Sequence, residues 1–404
     1  GTAGLGNSDG VQITSMAPTS PASGNTIGGA TAGARNVISG NKVDGIFIVQ
    51  QQTTGNSVKG NFIGTKANGV DPLGNARHGV WIIDSPDNTI GGLAFVPGDP
   101  RGNVISANLG HGVYISGSDA TRNRVLGNII GLDFTGSSYT ANGEDGVNIE
   151  DAPNNTIGGI FPAERNIISG NLDGVVMVGG DGNQLLGNFI GTDRSGKLDR
   201  GNRANGVDLF QTKNVVIGGT TAGARNVISG NEGNGISISF SDFEGSLIQG
   251  NYIGTDVDGN HVLPNSLNGV LFYDVRNATI GGLNENARNV ISGNRRDGVG
   301  ITSDSNPDND SIHSSGNLVE GNYIGVGADG VTKVGNEEHG IFIEDAKNTV
   351  IGGPEAGAGN TIAFNGSLLL QRGHGVVVAS GTGNLISRNS IYQNTGRGID
   401  LGPD

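Results

Sequence analysis

The chain repeats itself along its whole length, and this repeat restricts the fold more than any other feature of the sequence. The tripeptide Ile-Gly-Gly recurs, starting at Ile27, Ile90, Ile157, Ile217, Ile280 and Ile351. A string of the type Asn-Val-Ile-Ser-Gly-Asn follows each copy and begins at Asn36, Asn103, Asn166, Asn226, Asn289 and Asn360. The long period is therefore about 60 to 70 residues.

A shorter unit lies inside the long one. A glycine, then Val or Ile, any residue and another apolar residue recur at intervals of mostly 28 to 35 residues. The last interval, from Gly375 to Gly398, is 23 residues and contains three short apolar runs separated by Gly and Asn. No segment keeps the 3.6-residue period of a helix, and alternate residues within each run are apolar, as in a half-buried strand.

Three strands that close in about 23 residues describe one coil of a parallel β-helix. Side chains such as Ile46 and Ile48 would then point inward, and the coils would stack about 4.8 Å apart. Connections between parallel strands are right-handed in nearly all proteins, which fixes the hand. The sequence predicts an all-β, single-stranded right-handed parallel β-helix with about 12 three-stranded coils in two-coil repeats of about 60–70 residues.

Residues 1–404 are expected to form one continuous β-helix domain. Residues 1–6 resemble the tail of a third-strand loop, and Asp404 follows the first strand of a thirteenth coil. Solenoids need polar caps at their ends, and no cap is recognisable here, which predicts a fragment of a longer chain. Asparagine tolerates positive φ and bonds its own backbone, so five recurring asparagines are interpreted as turn residues: Asn61, Asn128, Asn188, Asn251 and Asn322.

Charge and composition exclude several classes of function. The formal net charge of −14 argues against a nucleic-acid or anionic-membrane surface, which would need a basic face. The chain has no Cys, which excludes disulfides and thiolate metal sites. It also lacks a run of eighteen apolar residues, so no membrane insertion is expected in this segment.

The strings Asn-Thr-Ile-Gly-Gly, Ala-Arg-Asn-Val-Ile-Ser-Gly-Asn and Gly-Asn-Tyr-Ile-Gly-Thr-Asp resemble the repeats of bacterial right-handed parallel β-helix proteins. The resemblance covers essentially the whole chain. The wider pectate-lyase-like superfamily includes polysaccharide lyases, glycoside hydrolases, epimerases and phage tailspikes. The resemblance implies a secreted or cell-surface protein with a polysaccharide or cell-surface glycan as its partner, by analogy of fold alone.

One group of aromatic residues stands out on the outward face of the predicted first-strand sheet. Phe47, Trp81 and Tyr114 occupy the same position in three successive coils, and Trp81 is the only tryptophan in the chain. We expect them to form a flat platform on which sugar rings stack, and we assign them as the substrate-binding residues. The alternative is that loops cover them or that they simply suit β-strands.

Histidines and acids supply weaker candidates for catalysis. His78 and His111 flank the three aromatics and could transfer protons, although His, like Asn and Asp, also tolerates the turn before a strand. Four acids lie nearby in the predicted coils, and solvated turn acids are the commoner explanation for them: Asp145, Glu150, Asp173 and Asp208. Gly110-His-Gly112 resembles an element of polygalacturonases, but that family's carboxylate motifs are missing, so their activity is not transferred.

Two clusters of side-chain oxygens are candidates for Ca²⁺, although neither is an EF-hand loop. The first consists of Asp256, Asp258 and Asn260, and the second of Asp304, Asp308 and Asp310. No other cofactor is expected.

Two functions remain open from the sequence. The first is an extracellular or cell-surface solenoid with a carbohydrate-binding, adhesive or structural role. The second is a polysaccharide lyase, glycoside hydrolase or epimerase that acts in a groove on the first-strand sheet. The regular repeat and the absence of a complete catalytic set favour the first.

Overall fold

A computed structural model describes residues 6–15, 20–93, 102–304, 313–367 and 373–402. The chain divides into an N-terminal unit, Gly1–Arg194 with Arg200–Arg203, and a C-terminal unit, Ser195–Asp199 with Ala204–Asp404. Helical structure in the described residues consists of short 3-10 turns at Ala32–Ala34, Pro162–Glu164, Ala222–Ala224 and Glu285–Ala287. None of these described helices is long and apolar enough to cross a membrane.

The N-terminal unit contains six three-stranded coils, whose strands form three parallel sheets. The first strands are Val11–Thr14, Ile46–Val49, Val80–Ile83, Val113–Ser116, Val147–Glu150 and Val175–Val178. The second strands are Thr26–Gly28, Ser57–Lys59, Thr89–Gly91, Arg124–Leu126, Thr156–Gly158 and Gln184–Leu186. The third strands are Val37–Ile38, Phe62–Ile63, Val104–Ile105, Ile129–Ile130, Ile167–Ile168 and Phe189–Ile190.

The C-terminal unit is built in the same way, from three parallel sheets. Its first strands are Val207–Phe210, Ile236–Asp242, Val270–Arg276, Val299–Thr302, Ile341–Ile343, Val376–Val378 and Ile399–Leu401. Its second strands are Val216–Gly218, Leu247–Gln249, Thr279–Gly281, Leu318–Glu320, Val350–Gly352 and Leu385–Ser387. Its third strands are Val227–Ile228, Tyr252–Ile253, Val290–Ile291, Tyr323–Ile324, Thr361–Ala363 and Ser390–Tyr392, and a small extra sheet pairs Ala346–Lys347 with Gly381–Thr382.

The predicted right-handed parallel β-helix is confirmed, and so is the count of about twelve coils. Alternation along each first strand places one aliphatic side chain in the core and the next outside. Ile46 pairs with Val80 and Ile48 with Ile82, and all four side chains are fully buried. A buried aliphatic side chain of this size contributes about 1.5–3 kcal/mol, so these stacks dominate the stability of the coils. One continuous domain, and its place in a longer chain, stay predictions.

The recurring asparagines are structural, and each donates to the carbonyl two residues before it as predicted, but the predicted positive φ is wrong. None of them has a positive φ, because the preceding glycines, such as Gly127 and Gly250, take that conformation. The asparagine side chains also form buried ladders that run from coil to coil. Asn128 Oδ1 accepts from the backbone N–H of Asn103 at 3.1 Å, and Asn128 Nδ2 donates to the carbonyl of Ile90 at 2.9 Å. Amide ladders therefore satisfy backbone groups that the sharp turns leave unpaired.

A second kind of ladder runs along the residues that precede the glycine of each first strand, and we call it the pre-strand ladder. Each side chain accepts a hydrogen bond from the backbone N–H of its counterpart in the next coil. In the C-terminal unit, for example, Asn234 Oδ1 accepts from Asn268 and Asp297 Oδ1 accepts from His339. Asn, Asp and His share this position because each offers an acceptor at the required distance.

Asp297 is an unfavourable member of the pre-strand ladder, because burial raises the pKa of its carboxyl to about 7. A raised pKa means that Asp297 stabilises the fold below its unfolded pKa of about 3.9, and that this stability is lost as the pH rises through 7. We therefore expect Asp297→Asn to raise the melting temperature at pH 8 by a few degrees and to change it little at pH 4. Thermal unfolding at the two pH values checks this, and a variant that is less stable at pH 8 would contradict it.

Candidate functional site

Three aromatic side chains line up on the outward face of the first-strand sheet in the N-terminal unit. Phe47 pairs in register with Trp81, and Trp81 with Tyr114. All three side chains are half-buried. Gln12 precedes them in the same row and Asn148 follows them. The structure thus brings together the residues that the sequence assigned to substrate binding, and we call Phe47, Trp81 and Tyr114 the aromatic ladder.

The rings of the aromatic ladder overlap instead of forming the flat platform that the sequence suggested. The ring centres of Phe47 and Trp81 lie 4.9 Å apart, and those of Trp81 and Tyr114 lie 5.8 Å apart with planes only 14° from parallel. Coplanar rings at these separations would bring carbon atoms closer than their contact distance of about 3.5–4 Å. Aromatic rings in successive coils are too close together to lie flat side by side, so the ladder presents mainly ring edges to solvent.

Two histidines of the pre-strand ladder pack beside the aromatic ladder. The rings of His78 and His111 are stacked 5.0 Å apart, and each lies within 5.2 Å of the Tyr114 ring. Nδ1 of His78 accepts from the N–H of His111 at 3.1 Å, and Nδ1 of His111 accepts from the N–H of Asp145 at 3.1 Å. Nε2 of His78 lies 3.5 Å from the guanidinium of Arg77, and Nε2 of His111 lies 3.2 Å from the carboxylate of Glu144.

Burial, the neighbouring His111 and the guanidinium of Arg77 lower the pKa of His78 to about 3. An unfolded histidine titrates near 6.5, so the unfolded chain binds more protons between pH 3 and 6.5 and His78 destabilises the fold as the pH falls through that window. We expect His78→Asn, which keeps an acceptor in the pre-strand ladder, to lose this sensitivity. The melting temperature of wild type should fall more steeply between pH 7 and pH 4 than that of the variant, and parallel curves would contradict the assignment.

Sequence reasoning missed Arg77, which supplies the positive charge of the site. Its guanidinium lies 4.5 Å from the centre of the Trp81 ring and 3.9 Å from the Asp44 carboxylate. Stacking of a guanidinium on an indole is favourable by about 0.5–1 kcal/mol at an exposed position. The only signal in the sequence was its place just before His78, which does not reveal where a long side chain will lie.

The acids near the aromatic ladder have specific partners. Asp145 Oδ2 accepts from Asn148 at 2.9 Å, and its Oδ1 accepts from the N–H of Asp173 at 3.2 Å. Burial raises the pKa of Asp145, but the adjacent His111 ring and hydrogen bonds from Asn148 and the Asp173 backbone outweigh it, so the net pKa is lowered. Asp145 is thus a charged member of the pre-strand ladder, and its contact with Asp173 joins a carboxylate to a backbone amide.

The hydroxyl of Tyr114 donates a hydrogen bond to the carboxylate of Glu150. Burial and this carboxylate raise the pKa of Tyr114 to about 12, so the phenol stays protonated at neutral pH. Glu150 itself is exposed, at the end of the strand that carries Asn148. Asp208, the remaining acidic candidate, is a half-buried outward residue of the C-terminal unit, in register with Ser237.

His78, His111 and Glu144 are close enough to suggest a metal centre, with ligand atoms within 4.8 Å of one another. His111 Nε2 lies 3.2 Å from the Glu144 carboxylate. Nδ1 of each histidine accepts a backbone hydrogen bond, and the guanidinium of Arg77 lies 3.5 Å from Nε2 of His78. The positive charge of Arg77 at that nitrogen disfavours a metal ion there.

The first candidate calcium cluster is occupied by protein partners. The Asp258 carboxylate forms an ion pair with Lys197 at 2.7 Å, which lowers the pKa of Asp258. Asp256 contacts Nδ1 of His261 at 2.9 Å, and Asn260 Oδ1 accepts from the N–H of Asp329 at 3.3 Å. The ammonium of Lys197 thus already pairs with one of the two carboxylates of this cluster, that of Asp258.

In the second candidate calcium cluster, Asp304 donates its backbone N–H to Asp274 at 3.1 Å. Asp308 and Asp310 lie outside the described residues. Calcium binding at either cluster stays a prediction.

No protein-family description and no curated protein matches the chain. Solved structures similar to it include a mutant of the periplasmic alginate epimerase AlgG, with 13% identity and a TM-score of 0.44 over 85% of this chain and 70% of that one. The Azotobacter vinelandii mannuronan C-5 epimerase AlgE4 A-module has 15% identity and a TM-score of 0.38 over 92% and 86%. The Streptococcus pneumoniae surface protein and adhesin PfbA has 13% identity and a TM-score of 0.31 over 99% and 93%. Scores this low assign neither an activity nor a ligand to this chain.

Proposed function

We propose that this protein is an extracellular or cell-surface β-solenoid that binds a polysaccharide without transforming it. The observation that carries the proposal is the aromatic ladder, three half-buried rings in register on the outward face of one sheet. Aromatic surface next to a few polar groups is the usual composition of a ligand site. Arg77, Asn148 and Glu150 supply those polar groups beside the rings.

The protonation states of the polar groups support binding over catalysis. A general base needs an accessible lone pair at the operating pH. His78 and His111 use their basic nitrogens to accept backbone hydrogen bonds, and Tyr114, with a pKa of about 12, stays protonated. Asp145 is buried and engaged on both carboxylate oxygens. These groups therefore suit hydrogen bonding to hydroxyls and not proton transfer.

The second candidate function is a polysaccharide lyase, glycoside hydrolase or epimerase, and Arg77 is the observation that favours it. An enzyme that removes a proton next to the carboxylate of a uronic acid needs a cation to stabilise the resulting negative charge. The guanidinium of Arg77 lies against Trp81 and within reach of the same surface. This candidate requires His111 to release its backbone hydrogen bond before it can act as a base.

A polysaccharide panel separates the two functions. Affinity electrophoresis of the protein through gels that contain neutral and uronate polysaccharides measures binding, and assays for reducing ends and unsaturated uronic products measure turnover. We expect retardation by at least one polysaccharide without product. Absence of retardation in every gel contradicts the binding proposal, and product formation that His111→Ala abolishes establishes the enzyme instead.

A further inference from the structure

A corner of the C-terminal unit carries an aromatic residue where the fold does not favour one. Counted from the start of each first strand, the fifth residue has a positive φ in nine of the described coils. Eight of these residues are Asp, Gln or Gly: Gln50, Asp84, Gly117, Asp151, Gly179, Gln211, Asp274 and Asp345. Phe240 occupies the same corner with a φ of 49°. Glycine adopts this conformation freely and Asp tolerates it, whereas a bulky side chain is an outlier there.

The ring of Phe240 belongs to a three-ring cluster. Its centre lies 5.7 Å from that of Phe210 and 5.4 Å from that of Tyr273, with ring planes at 63° and 73°. Phe210 and Phe240 are each 36% exposed. We call these three residues the aromatic corner. An edge-to-face contact covers one face of one ring, so other ring faces of the corner stay available for contact, in line with the exposure of Phe210 and Phe240.

Packing gives Phe240 no clear net advantage at this corner. A residue other than glycine in the left-handed region costs about 1–2 kcal/mol, and its two partly exposed edge-to-face contacts return an amount of the same order. The same corner elsewhere in the chain uses residues that avoid or reduce this cost. Strain that is kept at an exposed aromatic residue points to a ligand.

The groups around the aromatic corner favour an uncharged ligand. Ser239 lies in register between Phe210 and Tyr273, so a small hydroxyl side chain separates the two outer rings. Burial raises the pKa of the Tyr273 hydroxyl, and the carboxylates of Asp304 and Asp274 raise it further.

On the outer side of the corner, Asp242 accepts from Asn277 at 3.1 Å. Two cations lie near it in the sequence or the sheet: Lys213, three residues after Phe210, and Arg276, which pairs in register with Asp242 and donates to the carbonyl of His313. The carboxylates of Asp304 and Asp274 beside the Tyr273 hydroxyl disfavour a polyuronate at that ring and favour a neutral sugar.

We propose that Phe210, Phe240 and Tyr273 form a second glycan subsite, in the C-terminal unit, that binds uncharged pyranose chains. Sugar C–H faces contact the exposed rings, and Ser239, Asp242 and Asn277 hydrogen-bond to hydroxyls. The subsite extends the proposed function and does not depend on the aromatic ladder.

The experiment uses the full chain and exploits its single tryptophan, which lies in the aromatic ladder. Titration calorimetry with hexasaccharides of β-1,4-glucan, β-1,3-glucan and β-1,4-mannan is carried out on Trp81→Ala, in which the ladder is disabled. We expect binding of one hexasaccharide to persist there and to fall at least about tenfold when Phe240→Asn is added. Asn tolerates positive φ, so the melting temperature should stay the same or rise. Gln50→Asn, at the same corner of the N-terminal unit, is the matched control and should change neither quantity.

The proposal is overturned if Phe240→Asn lowers the melting temperature and leaves binding unchanged, because the ring then serves packing. It is also overturned if no neutral hexasaccharide binds the Trp81→Ala protein, or if a hexagalacturonate binds it equally well. If instead the aromatic ladder does not bind polysaccharide, this is seen separately: no polysaccharide then changes the tryptophan fluorescence of the wild-type protein.

Discussion

Replacing Trp81 with alanine is expected to weaken polysaccharide binding by about 30-fold or more. Central aromatic anchors of binding sites typically contribute about 2 kcal/mol or more, and each 1.4 kcal/mol corresponds to a factor of ten. Trp81 holds the middle of the aromatic ladder, where its ring contacts Phe47, Tyr114 and the guanidinium of Arg77. Its loss therefore removes apolar surface and also releases Arg77 from its stacked position. Titration calorimetry with the polysaccharide that retards wild type measures the change.

Val176→Ala is the matched control for this experiment. Val176 occupies the same outward row of the same unit, next to Asn148, and is also half-buried. Its truncation should leave the dissociation constant within about twofold of wild type, and the melting temperatures of both variants should show an intact fold. Equal losses of affinity in the two variants would mean that the sheet binds without using the aromatic ladder.

Asn251→Ala is expected to lower the stability of the C-terminal unit strongly for a single substitution. The side chain is fully buried and accepts from the backbone and side chain of Asn226 at 3.3 and 2.9 Å. It donates to the carbonyls of Ile217 and Gln249 and to Asn289 Oδ1 at 2.8, 3.0 and 3.1 Å. Each buried group left without a partner costs about 1–3 kcal/mol, so the total is about 3–5 kcal/mol.

Coils of a solenoid depend mainly on their neighbours, so the damage should be local. Hydrogen–deuterium exchange measures it directly, and protection of amides in the coils next to Asn251 should fall about 100-fold or more. Asn286→Ala is the control, because this exposed asparagine has no side-chain hydrogen bond recorded among the described residues. Unchanged protection in Asn251→Ala would show that the amide ladder is dispensable.

The fold could be predicted because the same pattern of strands and turns recurs in every repeat. Inward residues such as Ile46 and Val80 alternate with outward ones, and the register between coils follows once one repeat is aligned with the next. The asparagines were correctly predicted to be structural and to bond the local backbone, but the positive φ was wrong, and the ladders between coils were missed. A ladder in which Asn128 bridges two neighbouring coils depends on stacking, and no single turn reveals it.

The candidate site could be predicted only in outline. Position in the coil placed Phe47, Trp81 and Tyr114 in one row, but their orientation depends on a spacing between coils that is too short for flat rings. The stacking of Arg77 on Trp81 depends on side-chain rotamers, which the repeat does not encode. An alignment of the coils shows Phe240 where its counterparts are Asp, Gln and Gly, so the sequence marks it as unusual. Only its φ shows that the ring is held in a strained backbone conformation.

The emission of Trp81 during titration with polysaccharide tests the central claim most directly. Because Trp81 is the only tryptophan in the chain, its fluorescence reports on the aromatic ladder alone. The account predicts a saturable change in emission with the polysaccharide that retards the protein in gels, at a concentration that matches the calorimetric dissociation constant. Retardation and calorimetric binding with no change in Trp81 emission would contradict the account, because the glycan would then bind elsewhere.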